Sequence, residues 1–159
     1  PIIHGGGHEN GFRSGTLAVH NIVGLGKACE ISGQQMVDES SRIKSLRDNL
    51  LDELKSKISS LMVNGTMDYR LAGNLSICLP TIDSDSIIMS MPDIALSNGS
   101  ACTSASIQPS HVLLALGLSK EQSHASIRFG IGRFNTSSEI EYTIDKVVNT
   151  VNRFRKVAV

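Results

Sequence analysis

The chain has little of what would tie it to a membrane, a nucleic acid or an oxidising compartment. Lys and Arg number 15 and Asp and Glu 15, so the formal charge of the 159 residues is zero, and no segment is basic enough to track a phosphate backbone. No apolar run approaches the roughly 18 residues needed to span a bilayer. Neither nucleic acid nor membrane is therefore an expected partner. The opening PIIHGGGHENG has no basic region followed by an apolar stretch, so it is not a signal peptide. It also has no initiator Met, which reads as a piece cut from a longer protein. The three cysteines, Cys29, Cys78 and Cys102, are too far apart for a CxxC pair or a zinc knuckle. An odd, low count of cysteines without a secretory signal fits a reducing compartment. The histidines show no HExxH or related spacing, so no metal site is expected. No Ser-His-Asp motif, internal repeat, linker or low-complexity segment is present.

What remains is an ordinary globular composition, 40% hydrophobic and 19% charged, long enough to bury one proper core. Residues 1–16 are rich in glycine and irregular. A helix is expected over 17–32, weakened by Gly24 and Gly26, and a second over 35–58. There Ile43, Leu46, Leu50, Leu54 and Ile58 recur at helical steps. Short strands are expected at 61–63, before an Asn64-Gly65 turn, and at 74–79, 94–96 and 126–131. Short helices are expected at 83–91 and 109–116, with one more turn opened by a Ser119/Gln122 capping box. Thr136 and Glu139 form a second capping box, opening a helix with Ile140, Ile144, Val147, Val148, Val151 and Phe154 on one face. The fold class is thus α/β: a small sheet covered on one face by helices, with an N-terminal glycine loop and long helix attached as an arm.

Three segments carry chemistry. In LSNGSACTSAS, residues 96–106, Cys102 is surrounded by Gly99, Ser100, Ala101, Thr103, Ser104 and Ala105. Such small residues cannot bury a side chain, so the thiol is expected to be reachable, as a nucleophile must be. Cys29 and Cys78 sit in apolar runs and are expected to be buried. In HGGGHENGFRSGT, residues 4–16, Ser14, Gly15 and Thr16 lie just before a helix, where backbone N–H groups and hydroxyls favour a phosphate. A tight loop with a Ser/Thr cap explains the same residues. In SIRFGIGRF, residues 126–134, Arg128 alternates with Ile127 and Phe129. If those two face the core, Arg128 points away from it and can fork onto a carboxylate. Composition alone leaves a surface arginine, and a surface cysteine without a role, as alternatives.

Taken together and in this order, the three segments resemble the cysteine desulfurase family of the NifS/IscS type. The resemblance runs over nearly the whole chain but only over the later part of a family member. SNGSACTSAS is its most specific stretch and favours the subgroup with a long cysteine loop. The resemblance implies the pyridoxal 5'-phosphate (PLP)-dependent transferase fold type I. It makes 1–40 the end of the large domain with its connecting helix, and 41–159 the small α+β C-terminal domain, whose sheet is mostly antiparallel. It implies conversion of L-cysteine to L-alanine, with the sulfur taken as a persulfide on Cys102 and delivered to iron–sulfur cluster assembly or tRNA thiolation. By motif match Arg128 pairs with the substrate carboxylate. Thr16, with Ser14 and Gly15 beside it, reaches the PLP phosphate of the neighbouring subunit of a homodimer. The implied partners are L-cysteine, the large domain and a sulfur acceptor such as an iron–sulfur scaffold. The implied location is cytoplasmic, or mitochondrial in a eukaryote.

The sequence also departs from the family pattern. None of Lys27, Lys44, Lys55, Lys57, Lys120, Lys146 or Lys156 follows the Ser-x-His context of the family's cofactor lysine. Position 10 is Asn where members usually carry a basic residue. The chain is therefore expected to be inactive without a large-domain partner. The alternatives are a stand-alone persulfide carrier and a non-catalytic remnant; keeping Cys102, Thr16 and Arg128 together speaks against the carrier, which would have no use for a phosphate loop or a carboxylate clamp.

Overall fold

A computed structural model describes residues 1–98 and 108–157. The chain divides into two compact units, Pro1–Val37 and Asp38–Val159. In the first, residues 1–16 fold back on themselves. Ile3 and Arg13 form an isolated parallel bridge, and the Ile2 N–H donates to the Phe12 carbonyl at 2.9 Å. The turn at Glu9–Gly11 places Glu9 and Asn10 at φ of 55° and 54°. Helix α1 follows at Val19–Lys57.

One continuous α1 replaces the two helices expected from the sequence. Gly24, Gly26 and Gly33 weaken a helix by about 1 kcal/mol each, but a glycine that ends a helix commonly does so in the left-handed conformation. None of these glycines has positive φ, so the helix runs through them. Up to Val37 it buries almost nothing: Val19, Ile22, Val23, Leu25, Met36 and Val37 are all exposed.

The second unit holds the core. Strands β1 (Met62–Val63), β2 (Asn74–Cys78) and β3 (Ser126–Gly130) form an antiparallel sheet in that order. Leu75 stands opposite Phe129 and Ile77 opposite Ile127. This face joins Leu46, Leu50 and Leu54 of α1, Ile58 just after it, Ile87 of α2 (Ser84–Met89), and Ile140, Ile144, Val147 and Val151 of α5 (Ser137–Val157) in one core. Burying each such side chain is worth roughly 1.5–3 kcal/mol. The expected periodicities of both long helices thus mark the faces that pack. Helices α3 (His111–Ala115) and α4 (Lys120–His124) connect to β3. Among the described residues no helix is long and apolar enough to cross a membrane.

Caps account for the helix starts. Asp83 accepts the Ser86 N–H at 2.9 Å. Ser119 and Gln122 form the expected reciprocal box, as do Thr136 and Glu139, whose bonds measure 3.3 and 2.9 Å. The expected strand at 94–96 does not form. After Pro92 the Ile94 N–H turns back to the Met91 carbonyl at 3.1 Å. Among the described residues that follow, Ser97 meets β3, in an isolated bridge to Arg128.

Gly73 marks a fixed approach between strands. Its carbonyl accepts the Ile131 N–H at 2.8 Å, and a Cβ at this position would lie 1.9 Å from the Ile131 carbonyl oxygen. That neighbour is backbone and cannot swing away. Gly73→Ala is expected to cost at least the 1–3 kcal/mol typical of overpacking, lowering the thermal midpoint by about 2 °C or more. A circular dichroism melt that matches the parent chain would refute this account of the contact.

Candidate active site

The sheet face opposite the core floors an open cleft of about 610 Å³. Strand alternation decides what stands on it. Because Ile127 and Phe129 are buried, Arg128 between them is exposed and faces the cleft, opposite Ser76 in the register. The 64–71 loop and α3 form the walls. Asn98 and Ser110, which flank the segment containing Cys102, also line it.

A polar network sets the floor. Asn64 is 2% exposed. Its amide donates to the hydroxyls of Ser76 at 2.9 Å and Ser126 at 3.0 Å, so one side chain holds β2 and β3 together on the cleft side. The Ser126 hydroxyl donates in turn to the Gln122 carbonyl at 2.7 Å. The Asn64 carbonyl accepts from Arg70, whose other nitrogens bond the Asn74 side chain at 3.0 Å and the Thr66 carbonyl at 3.1 Å. Burial and the nearby Arg47 guanidinium both lower the Arg70 pKa. Arg47 itself is buried and forks onto Asp48 at 2.6 and 2.9 Å. Among the described residues the Arg128 guanidinium makes one long contact, 3.4 Å to the Ser97 hydroxyl.

The sequence singles out Arg128 but not this network. Asn64-Gly65 reads there as a turn, and Gly65 does adopt φ of 76°. Nothing in the spacing marks Asn64 as a buried tie across β2 and β3, because its partners lie 12 and 62 residues away.

The glycine loop belongs to the other unit. Ser14 is buried, and its hydroxyl accepts the Gly7 N–H at 3.2 Å. The Gly15 N–H donates to His8 Nδ1 at 3.3 Å. Ser14 and Gly15 thus shape the loop, and His8 has a structural part in it. Thr16 is exposed and its hydroxyl bonds no described residue. The Arg13 guanidinium grips the Gly15 and Thr16 carbonyls at 3.1 and 3.4 Å. An exposed hydroxyl beside a cation, just before the free N–H groups that open α1, suits a phosphate. The residues present therefore fit the phosphate end of PLP. Of the lysines, Lys27, Lys57 and Lys146 pair with Glu30, Glu53 and Asp93 at 2.8, 2.9 and 3.1 Å.

Cys102 lies outside the described residues. Cys78 is fully buried and its thiol pKa is raised by burial, as the apolar run around it predicts. The expectation for Cys29 is corrected: it is exposed, because α1 up to Val37 packs against almost nothing within its own unit. Among the described residues no group of His, Cys, Asp or Glu is arranged to hold a metal ion.

Comparison with known proteins gives this arrangement its class. Residues 4–143 match the family described as Aminotransferase class-V, and the chain belongs to that family. It is 52% identical over 157 residues to the cysteine desulfurase IscS of Pasteurella multocida, covering 99% of this chain and 39% of the relative. It is 51% identical over 157 residues to the cysteine desulfurase IscS of Mannheimia succiniciproducens, with the same coverage. Among solved structures, a NifS-like protein from Rickettsia africae superposes with a TM-score of 0.81 at 28% identity, over 96% of this chain and 40% of that one. The chain thus spans about two fifths of the length of these relatives.

Thiol accessibility follows from the burial. In the native chain Cys29 should be alkylated at a rate near that of a free thiol, and Cys78 only on unfolding. Mass-spectrometric mapping after brief iodoacetamide treatment checks this. Early modification of Cys78 would contradict the packing of β2.

Proposed function

We propose that this chain is the C-terminal portion of a cysteine desulfurase, in which Cys102 takes sulfur from L-cysteine while Arg128 holds the substrate. The observation that carries the reading is the outward-facing Arg128 in a cleft whose rim includes both flanks of the Cys102 segment. A two-pronged guanidinium fork fixes a carboxylate in place and orientation. Cys102 is four positions from Asn98, a span of at most ~14 Å for an extended chain, which is compatible with a thiol that reaches a substrate held on Arg128.

In the proposed reaction the Cys102 thiolate attacks the sulfur of L-cysteine. A sulfur–sulfur bond forms and the substrate carbon–sulfur bond breaks, so L-cysteine and the enzyme thiol become L-alanine and an enzyme persulfide, with no external oxidant or reductant. PLP, when bound, supplies the electron sink that such a cleavage needs. Thr16 and Arg13 at the start of α1 would receive its phosphate, from the neighbouring subunit of a homodimer.

We read residues 1–40 as the end of the large domain with its connecting helix, and 41–159 as the small domain. The exposed apolar side chains of the first unit, Phe12, Val23 and Leu25 among them, support that reading, since a large domain or second subunit would cover them. The sulfur would pass to an acceptor such as an iron–sulfur scaffold or a tRNA-thiolating protein, in the cytoplasm.

Two outcomes test the reading. First, the chain alone should show no desulfurase activity, and borohydride reduction with PLP should fix no single lysine stoichiometrically, because none stands in a cofactor-lysine context. One stoichiometrically modified lysine would sink this part.

Second, in a desulfurase reconstituted with a large domain, Arg128→Ala should weaken L-cysteine binding. Losing a charge-assisted fork worth roughly 1.5–3 kcal/mol corresponds to about 10- to 150-fold. Arg128→Lys should restore only part, since an ammonium lacks the planar fork. Cys102→Ser should abolish persulfide and leave substrate binding intact. Parent-like cysteine affinity in Arg128→Ala would place the carboxylate clamp elsewhere.

A further inference from the structure

The cleft holds a second guanidinium that the proposed reaction does not use. Its lining residues include Arg70 and Arg128 and no Asp or Glu among those described. Arg70 is half-buried, and its described hydrogen bonds all go to neutral oxygens: the Thr66 carbonyl, the Asn74 side chain and the Asn64 carbonyl. The nearest cation, Arg47, has its own carboxylate in Asp48. Of the five N–H groups of a guanidinium, these bonds leave one on each terminal nitrogen of Arg70. These are charged donors of the kind that carboxylates accept from. A half-buried charge without a counter-ion is unfavourable, and the lowered pKa of Arg70, from burial and from Arg47, has the same origin.

We propose that Arg70 is a second anion-binding group of the cleft, so that the cleft takes small dicarboxylates, with one carboxylate on Arg128 and the other on Arg70. The proposal rests on the reading of Arg128 as a carboxylate clamp and extends it. Arg70 is fixed from three sides by the 64–74 loop, so it is preorganised for a ligand and loses little side-chain freedom on binding. The Asn64 tie sets its position relative to β2 and β3, because the same residue bonds both Arg70 and the strand hydroxyls. A ligand with a single carboxylate satisfies Arg128 and leaves Arg70 unanswered. A ligand with two answers both.

The test uses the unsubstituted 159-residue chain with nitrogen-15-labelled arginine. The side-chain Nε–H resonances are followed while acetate, malonate or succinate is added at constant ionic strength. Malonate or succinate should bind about tenfold more tightly than acetate, the effect of ~1.4 kcal/mol, and should move the Arg70 and Arg128 resonances with one midpoint. Arg70→Gln should bring the dicarboxylate affinity down toward that of acetate. The resonance readout needs no substitution, so the test stands if that variant folds poorly. Dicarboxylates that bind no better than acetate, or that move Arg128 alone, would overturn the Arg70 assignment and leave the clamp intact. Arg128→Gln that binds acetate like the parent chain would overturn the clamp and the two-point site with it.

Discussion

The pairing of β2 with β3 is the constraint on which the cleft depends. It sets Leu75 against Phe129 and Ile77 against Ile127 on one face, and Ser76 against Arg128 on the other. A slip of one residue would exchange those faces, driving a guanidinium into the core and two large apolar side chains into water. The penalty for that exchange, several kcal/mol of apolar exposure plus a buried charge, makes the register unambiguous. The core and the binding surface are thus two sides of one choice. The side chains that fix the strand energetically are not those that offer chemistry, but their alternation aims the arginine.

The remaining polar groups on that face stay ordered because they satisfy one another. Asn64 spends its amide on two serine hydroxyls from different strands and its carbonyl on Arg70. A buried amide with those partners removed would carry a desolvation cost of about 1–3 kcal/mol, so the network is held as a unit. The turn at Gly65 is what allows it. With φ at 76° the chain leaves β1 and returns past Arg70 to enter β2, and the loop becomes a wall of the cleft instead of continuing the strand.

How far the sequence reveals this depends on whether the cause is local. The packing faces of α1 and α5, the two capping boxes and the turn at Asn64-Gly65 follow from spacings of a few residues, and they are legible. Arg128 is legible because alternation is local too. The continuity of α1 is less so, since helix propensity at Gly33 speaks for a weak point while the backbone keeps negative φ through it. The strand expected at 94–96 fails because an apolar run after Pro92 fits a turn as well as a ladder, and the hydrogen-bonded partner is 31 residues away at Arg128. The exposure of Cys29 is illegible for a different reason. An apolar run predicts burial only where something packs against it, and the first unit contains nothing that does. The Asn64 network and the Arg70 position are long-range polar contacts, and no periodicity encodes those.

The division of labour between strand and loop is physically consistent with sulfur transfer. A carboxylate clamp gains from being rigid, because misplacing a substrate by even an ångström forfeits much of the advantage of orientation. Arg128 has that rigidity from a paired strand whose neighbours are buried on the opposite face. A nucleophile that must first meet a substrate and then present its sulfur to another protein has the opposite requirement. The run Gly99 to Ala105 contains no large side chain, and Asn98 and Ser110 are described on either side of it. Both line the same cleft as Arg128. In the proposed reaction Arg128 would mark where the substrate sits, and the chain length from Asn98 bounds how far Cys102 can lie from it.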